Sequence, residues 1–156
     1  MARSTDAPRR LSELRLCELV GVSQPYRQSL VKRKMLEPPK AGCTAADAVE
    51  LATIERLARH LTPSELTVAW KELRPRLRDM VPKGRVDVVF DRELGSTEIV
   101  RDDAGLRAAV ISGRVVRVIE LGPRVQEVLD GFRRWAAAPA PEAQRQRRVQ
   151  SDSQRA

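Results

Sequence analysis

The sequence predicts an α+β chain, with an N-terminal helix-turn-helix and core helices followed by a small strand-rich unit and a C-terminal helix. Three observations predict it. Two helical patterns between Ser12 and Lys34 flank a Gly21-Val22-Ser23 turn. Two later helix starts, at Thr44 and Thr62, each place an acid three residues on. After Pro82 the apolar period shifts toward the alternation of half-buried strands.

The first helix runs through Leu11-Ser12-Glu13-Leu14-Arg15-Leu16-Cys17-Glu18-Leu19-Val20, with Ser12 as N-cap and Gly21 free to take the left-handed backbone that ends it. Ser23 caps the second helix, and Pro25 sits in its first turn, where a missing N–H costs nothing. That helix reaches Lys34 with no acid in it. Glu37-Pro38-Pro39-Lys40 forces a loop or very short hairpin, because paired prolines stop a helix and disfavour central strand pairing. Thr44-Ala45-Ala46-Asp47 opens a core helix with Val49, Leu51, Ile54, Leu57, Ala58 and Leu61 mainly on one side. Thr62-Pro63-Ser64-Glu65 opens the next, where Leu66, Trp70, Leu73 and Leu77 form a buried face and Pro75 is expected to kink or divide the helix. The spacing of Trp70 favours core packing over a functional indole.

Arg85–Asp91 and Arg114–Leu121 are β-branched and partly alternating, as half-buried strands are, with Glu98-Ile99-Val100 a shorter strand between them. Asp103–Val110 reads as a turn or helical segment. Gly122-Pro123 ends the last strand, and Val125, Val128, Leu129, Phe132 and Trp135 give an amphipathic helix facing the sheet. The expected organisation is a disordered N-terminus over 1–10, a DNA-binding unit over 11–81, a dimerising or partner-binding α+β unit over 82–138, and a disordered basic tail over 139–156.

Charge narrows the function. From Arg9 to Lys40 eight cations face three acids, whereas from Arg85 to Arg134 nine arginines meet nine acids. Concentrating the excess of a +8 chain beside helix-turn-helix punctuation is what phosphate binding requires. Scarce aromatics argue against a stacking platform for single strands. The two cysteines, Cys17 and Cys43, lack zinc-site spacing, and no metal or other cofactor is implied. No apolar run approaches the roughly 20 residues of a membrane helix, so a cytoplasmic protein is expected.

Catalysis finds little support. His60 is the only histidine, at the end of a core helix, and no Gly-rich phosphate loop follows a strand. Asp102-Asp103, which precedes Ala104-Gly105, reads as turn and cap residues rather than a carboxylate pair or metal site.

The first half, about Leu11 to Leu77, resembles the winged helix-turn-helix domains of the MerR family. Gly21-Val22-Ser23, Met35-Leu36-Glu37-Pro38 and Thr44-Ala45-Ala46-Asp47 match that family's reader segment at the right separations. Three positions depart from it: Gln28-Ser29-Leu30 stand in place of Arg-Tyr-Tyr, Lys34 in place of a glycine, and Cys43 in place of the wing tyrosine. The order of parts is also similar to bacterial antitoxins with a MerR-like reader ahead of a small strand-rich part.

The expected function is sequence-specific binding of double-stranded DNA by a transcriptional regulator acting as a homodimer, without catalysis. The alternative is an antitoxin-type interaction protein whose C-terminal half binds a protein toxin while the N-terminal half autoregulates. In either case the helix from Ser23 to Lys34 enters the major groove by its N-terminal end. Gln24, Arg27 and Gln28 are then the expected base readers, Lys32, Arg33 and Lys40 take phosphates, Ser23 at the head of the helix is counted among the DNA-binding residues, and Tyr26 either donates to a phosphate or packs between helices. The tail arginines Arg145, Arg147, Arg148 and Arg155 either add phosphate contacts or keep the tail soluble.

Overall fold

In the computed structural model, which describes residues 10–38, 41–77, 85–111 and 116–139, the cap signals of the sequence set the helix boundaries. The expected disordered N-terminus up to residue 9, Lys40 and the tail from residue 140 lie outside the described residues. Helix α1 (Glu13–Val20) begins where the Ser12 Oγ accepts the Arg15 N–H at 3.3 Å. It ends at Gly21, whose φ of 76° lets its own N–H and that of Val22 both reach the Cys17 carbonyl, at 2.8 and 3.0 Å. Helix α2 (Gln24–Lys32) follows after three residues, its Ser23 Oγ accepting the Tyr26 N–H at 3.2 Å.

Helix α3 (Ala45–Ala58) opens with a reciprocal capping box. The Thr44 N–H donates to the Asp47 carboxylate at 2.7 Å and the Asp47 N–H to the Thr44 Oγ1 at 3.4 Å. Helix α4 (Pro63–Leu77) repeats the device, with the Thr62 N–H donating to Glu65 at 2.8 Å and the Glu65 N–H to Thr62 Oγ1 at 3.3 Å. Pro75 does not divide α4. It lies in the last turn, where it removes the one N–H that would donate to the Lys71 carbonyl while the helix still runs on to Leu77.

Two antiparallel pairings build the sheet. Strand β1 (Asp87–Asp91) lies between β2 (Ser96–Val100) and β3 (Val116–Glu120), in the order β2-β1-β3. Val88 faces Ile99 and Ile119 across the ladders, and Val89 faces Glu98 and Val118. Alternation then sends Val88, Phe90 and Ile119 into the main core, while Val89 and Val100 are buried outside that cluster. Asp91 holds the β1–β2 turn by accepting the Glu93 and Leu94 N–H groups at 2.9 and 3.1 Å. Helix α5 (Asp103–Ile111) starts at Asp102, whose carboxylate accepts the Gly105 N–H at 2.6 Å, the cap role expected for that residue. Gly105 also admits close approach, since a Cβ there would stand 3.1 Å from the Val100 side chain.

Strand β3 stops at Glu120, just before Gly122 and Pro123 as expected, and the same two residues open helix α6 (Gly122–Ala137), for which proline in the first turn is favourable. The Leu121 and Gly122 N–H groups both donate to the Val86 carbonyl at 3.0 Å, fixing the change from strand to helix. Helix α6, expected to face the sheet, instead packs mainly on α3 and also meets α1. At Gly131 a Cβ would come within 2.6 Å of the Leu19 side chain.

That packing revises a further expectation. Helix α3 is buried around most of its circumference rather than on one side, because α1, α4 and α6 all contact it. Its polar residues are buried with partners: Thr53 Oγ1 donates to the Val49 carbonyl at 2.7 Å, Glu55 pairs with Arg59 and stands 3.6 Å from Arg124, and Glu50 stands 3.8 Å from Arg74. The units expected on either side of residue 82 share one core. One continuous cluster joins Leu16, Leu30, Leu51 and Trp70 to Val88, Phe90, Ile119, Val125 and Val128. Among the described residues no helix is long and apolar enough to cross a membrane.

Candidate nucleic-acid interface

The surface in question is the outer face of α2, and its content follows from which α2 side chains the fold consumes. Leu30 is fully buried, and Tyr26 and Val31 are partly buried against the core. Burial is the main influence on the Tyr26 phenol, with nearby Arg33 opposing it and Glu55 adding to it, and it pushes the pKa above the ordinary 10.0. The phenol therefore stays neutral at neutral pH, and its ring packs against the core, the second of the two roles expected for it.

Arg27 is the main correction. Its side chain is 4% exposed, and its Nη1 donates to the Glu13 carboxylate of α1 at 2.5 Å. A guanidinium held between two helices by a carboxylate is not available to a guanine edge. Extending it would strip Glu13 of its partner and open a void between α1 and α2. Arg27 is thus not a base reader, and the acid that neutralises it comes from the neighbouring helix.

Arg33 is exposed but tethered, its Nη2 donating to the Pro63 carbonyl at 3.3 Å and to Thr67 Oγ1 at 3.1 Å. The guanidinium thus ties the end of α2 to the start of α4. Ser23 spends its hydroxyl on the helix cap, and Ser29 donates to the Tyr26 carbonyl at 2.6 Å. What remains facing outward is Gln24, Gln28 and Lys32, spaced four residues apart on one stripe, with Lys34 just beyond. Gln28, Lys32 and Lys34 are exposed and Gln24 is half-buried.

Lys34 ends the helix in the left-handed conformation, at φ 59°. The Met35 N–H reaches the Leu30 carbonyl and the Lys34 N–H the Val31 carbonyl, both at 2.9 Å, which is the Schellman arrangement usually closed by glycine. Here the position carries a cation at the end of the candidate face. Beyond it, Trp70 of α4 donates its indole N–H to the Met35 carbonyl at 2.6 Å from a fully enclosed ring, in keeping with the core role expected of it. The chain then returns to Cys43, which exchanges two backbone hydrogen bonds with Leu11, at 3.0 and 2.7 Å. Among the described residues this single bridge is the extent of a wing.

Both cysteines are buried. Their thiols are pushed above the ordinary 9.0 chiefly by burial, with Arg27 acting in the opposite sense, so neither is poised as a nucleophile. Among the described residues no group of three or more His, Cys, Asp or Glu side chains is placed to hold a metal ion.

Sequence reasoning missed Arg124. From α6 its Nη2 donates to the Val20 carbonyl at the end of α1, while Nη1 pairs with Glu127 at 2.8 Å and Nε stands 3.6 Å from Glu55. The available signal was negative: α1 has no basic residue in its last turn to meet its own carbonyls. The cation that does so arrives from more than a hundred positions away and sets the helix-turn-helix on α6.

The chain matches no model of a known protein family and no curated protein. The site itself offers a rigidly braced helix with an acid-free outer stripe of two amides and two amines, chemistry suited to base edges and phosphates.

Proposed function

We propose that this chain binds double-stranded DNA sequence-specifically and regulates transcription as a dimer, with α2 as the helix laid in the major groove. One observation carries the reading. With Arg27 turned inward, every side chain left on the outer stripe of α2 is a hydrogen-bonding amide or an amine, and no carboxylate stands among them to repel phosphate. The N-terminal half of that stripe holds the amides and the C-terminal half the amines, so bases would be met at one end and backbone at the other. One short helix covers only a few base pairs, and a second copy a helical turn away supplies the rest of a specific site.

Fluorescence anisotropy with a labelled mixed-sequence duplex tests the reading. Affinity should fall steeply between about 50 and about 200 mM salt, and Lys32→Ala should lower the log–log salt slope by about one. Duplex binding that is absent at low salt, or a slope the substitution leaves unchanged, would contradict it.

A further inference from the structure

Resting on the DNA-binding reading above, we infer that Gln24 and Gln28 carry base recognition, and that the preferred half-site presents two adenines about two base pairs apart with no guanine anchor. The inference follows by elimination and then by chemistry. Of the α2 side chains able to read a base, Arg27 is sealed against Glu13, Arg33 is bonded to Pro63 and Thr67, and the hydroxyls of Ser23 and Ser29 are bonded to backbone. Lys32, two helical turns from the N-terminal end, has donors only and suits a phosphate. Gln24 and Gln28 remain, and neither amide has a hydrogen-bond partner among the described residues.

A glutamine amide presents one donor and one acceptor side by side. Adenine offers the complementary pair in the major groove, N6–H and N7, whereas guanine offers two acceptors, O6 and N7, and would leave the amide oxygen facing another acceptor. Residues four apart on a helix are separated by about 6 Å along its axis, and base pairs by about 3.4 Å. Two glutamines at that spacing therefore meet adenines about two base pairs apart when the helix follows the groove.

Selection of the full chain against a randomised duplex library, with the enriched sites sequenced, tests this. The wild type should enrich two A·T pairs at that separation. Gln28→Ala should erase the preference at one of them, a discrimination of about 5- to 100-fold, and Gln28→Arg should replace that adenine by guanine. Substituting 7-deazaadenine, which lacks N7, at the enriched positions should weaken wild-type binding by about tenfold, separating major-groove reading from minor-groove preference for A·T. A guanine-centred wild-type motif, a motif unchanged in folded Gln28→Ala, or indifference to 7-deazaadenine would overturn the adenine assignment while leaving DNA binding intact. Failure to bind any duplex would overturn the underlying reading and this inference with it.

Discussion

Arg27 of α2 and Glu13 of α1 form an ion pair at 2.5 Å whose arginine side chain is almost wholly enclosed, so the most basic-looking position of the candidate reader helix is part of its scaffold. Arg27→Ala should therefore act on stability and not on sequence preference. Removing one partner of a pair whose glutamate is a quarter exposed should cost about 2–3 kcal/mol, and Glu13→Ala a comparable amount. Thermal melts of both variants, beside binding measured below their melting temperatures, check this. A changed base preference in Arg27→Ala with an unchanged melt would return Arg27 to the interface.

Lys34 occupies a backbone position that glycine adopts without strain. Lys34→Gly should stabilise the fold by about 0.5–1 kcal/mol and, by removing a cation at the end of the face, weaken non-specific DNA binding. Chemical denaturation and a low-salt titration on the same variant read the two effects. Destabilisation would mean that the side chain of Lys34 contributes more to the fold than its backbone costs.

Helix α6 covers α3 and its Arg124 meets the end of α1, so the N-terminal segment is not expected to fold alone. A fragment ending near residue 81 should give reduced helical circular dichroism and no cooperative melt. A cooperatively folded fragment with wild-type helicity up to that point would show that the shared core is dispensable.

Glu72 of α4 accepts from both the hydroxyl and the N–H of Thr97 on β2, the latter at 2.8 Å. The hydroxyl bond is the larger cause, the backbone bond the next, and together they hold the carboxyl below its ordinary 4.5. A folded-state pKa below the unfolded one gives stability that is present above about pH 4.5 and lost as pH falls through the depressed folded value. Thr97→Val should flatten that part of an acid-unfolding profile. An identical profile for wild type and variant would remove Glu72 from the linkage.

Much of this architecture was legible because it is written in local chemistry. Ser12, Ser23, Thr44 and Thr62 each cap the helix their spacing marked, and the β-branched runs around Val88 and Ile119 became paired strands. What escaped was non-local. Nothing near Arg27 in the sequence says that Glu13 will neutralise it, and Glu50, Thr53 and Glu55 read as a solvated side of α3 until α4 and α6 cover them. Gly122-Pro123 is ambiguous in the same way, since one dipeptide serves as strand stop and helix start.

Backbone amide shifts of the labelled full chain, followed by NMR as a short duplex is added, locate the DNA surface most directly. Perturbations should concentrate on Gln24 to Lys34 and spare β1, β2 and β3, and they should shrink in a Gln24→Ala, Gln28→Ala, Lys32→Ala triple variant that keeps the wild-type melt. Shifts confined to the sheet and α6, or an unaltered response in the triple variant, would contradict the assignment of the outer face of α2 as the nucleic-acid interface.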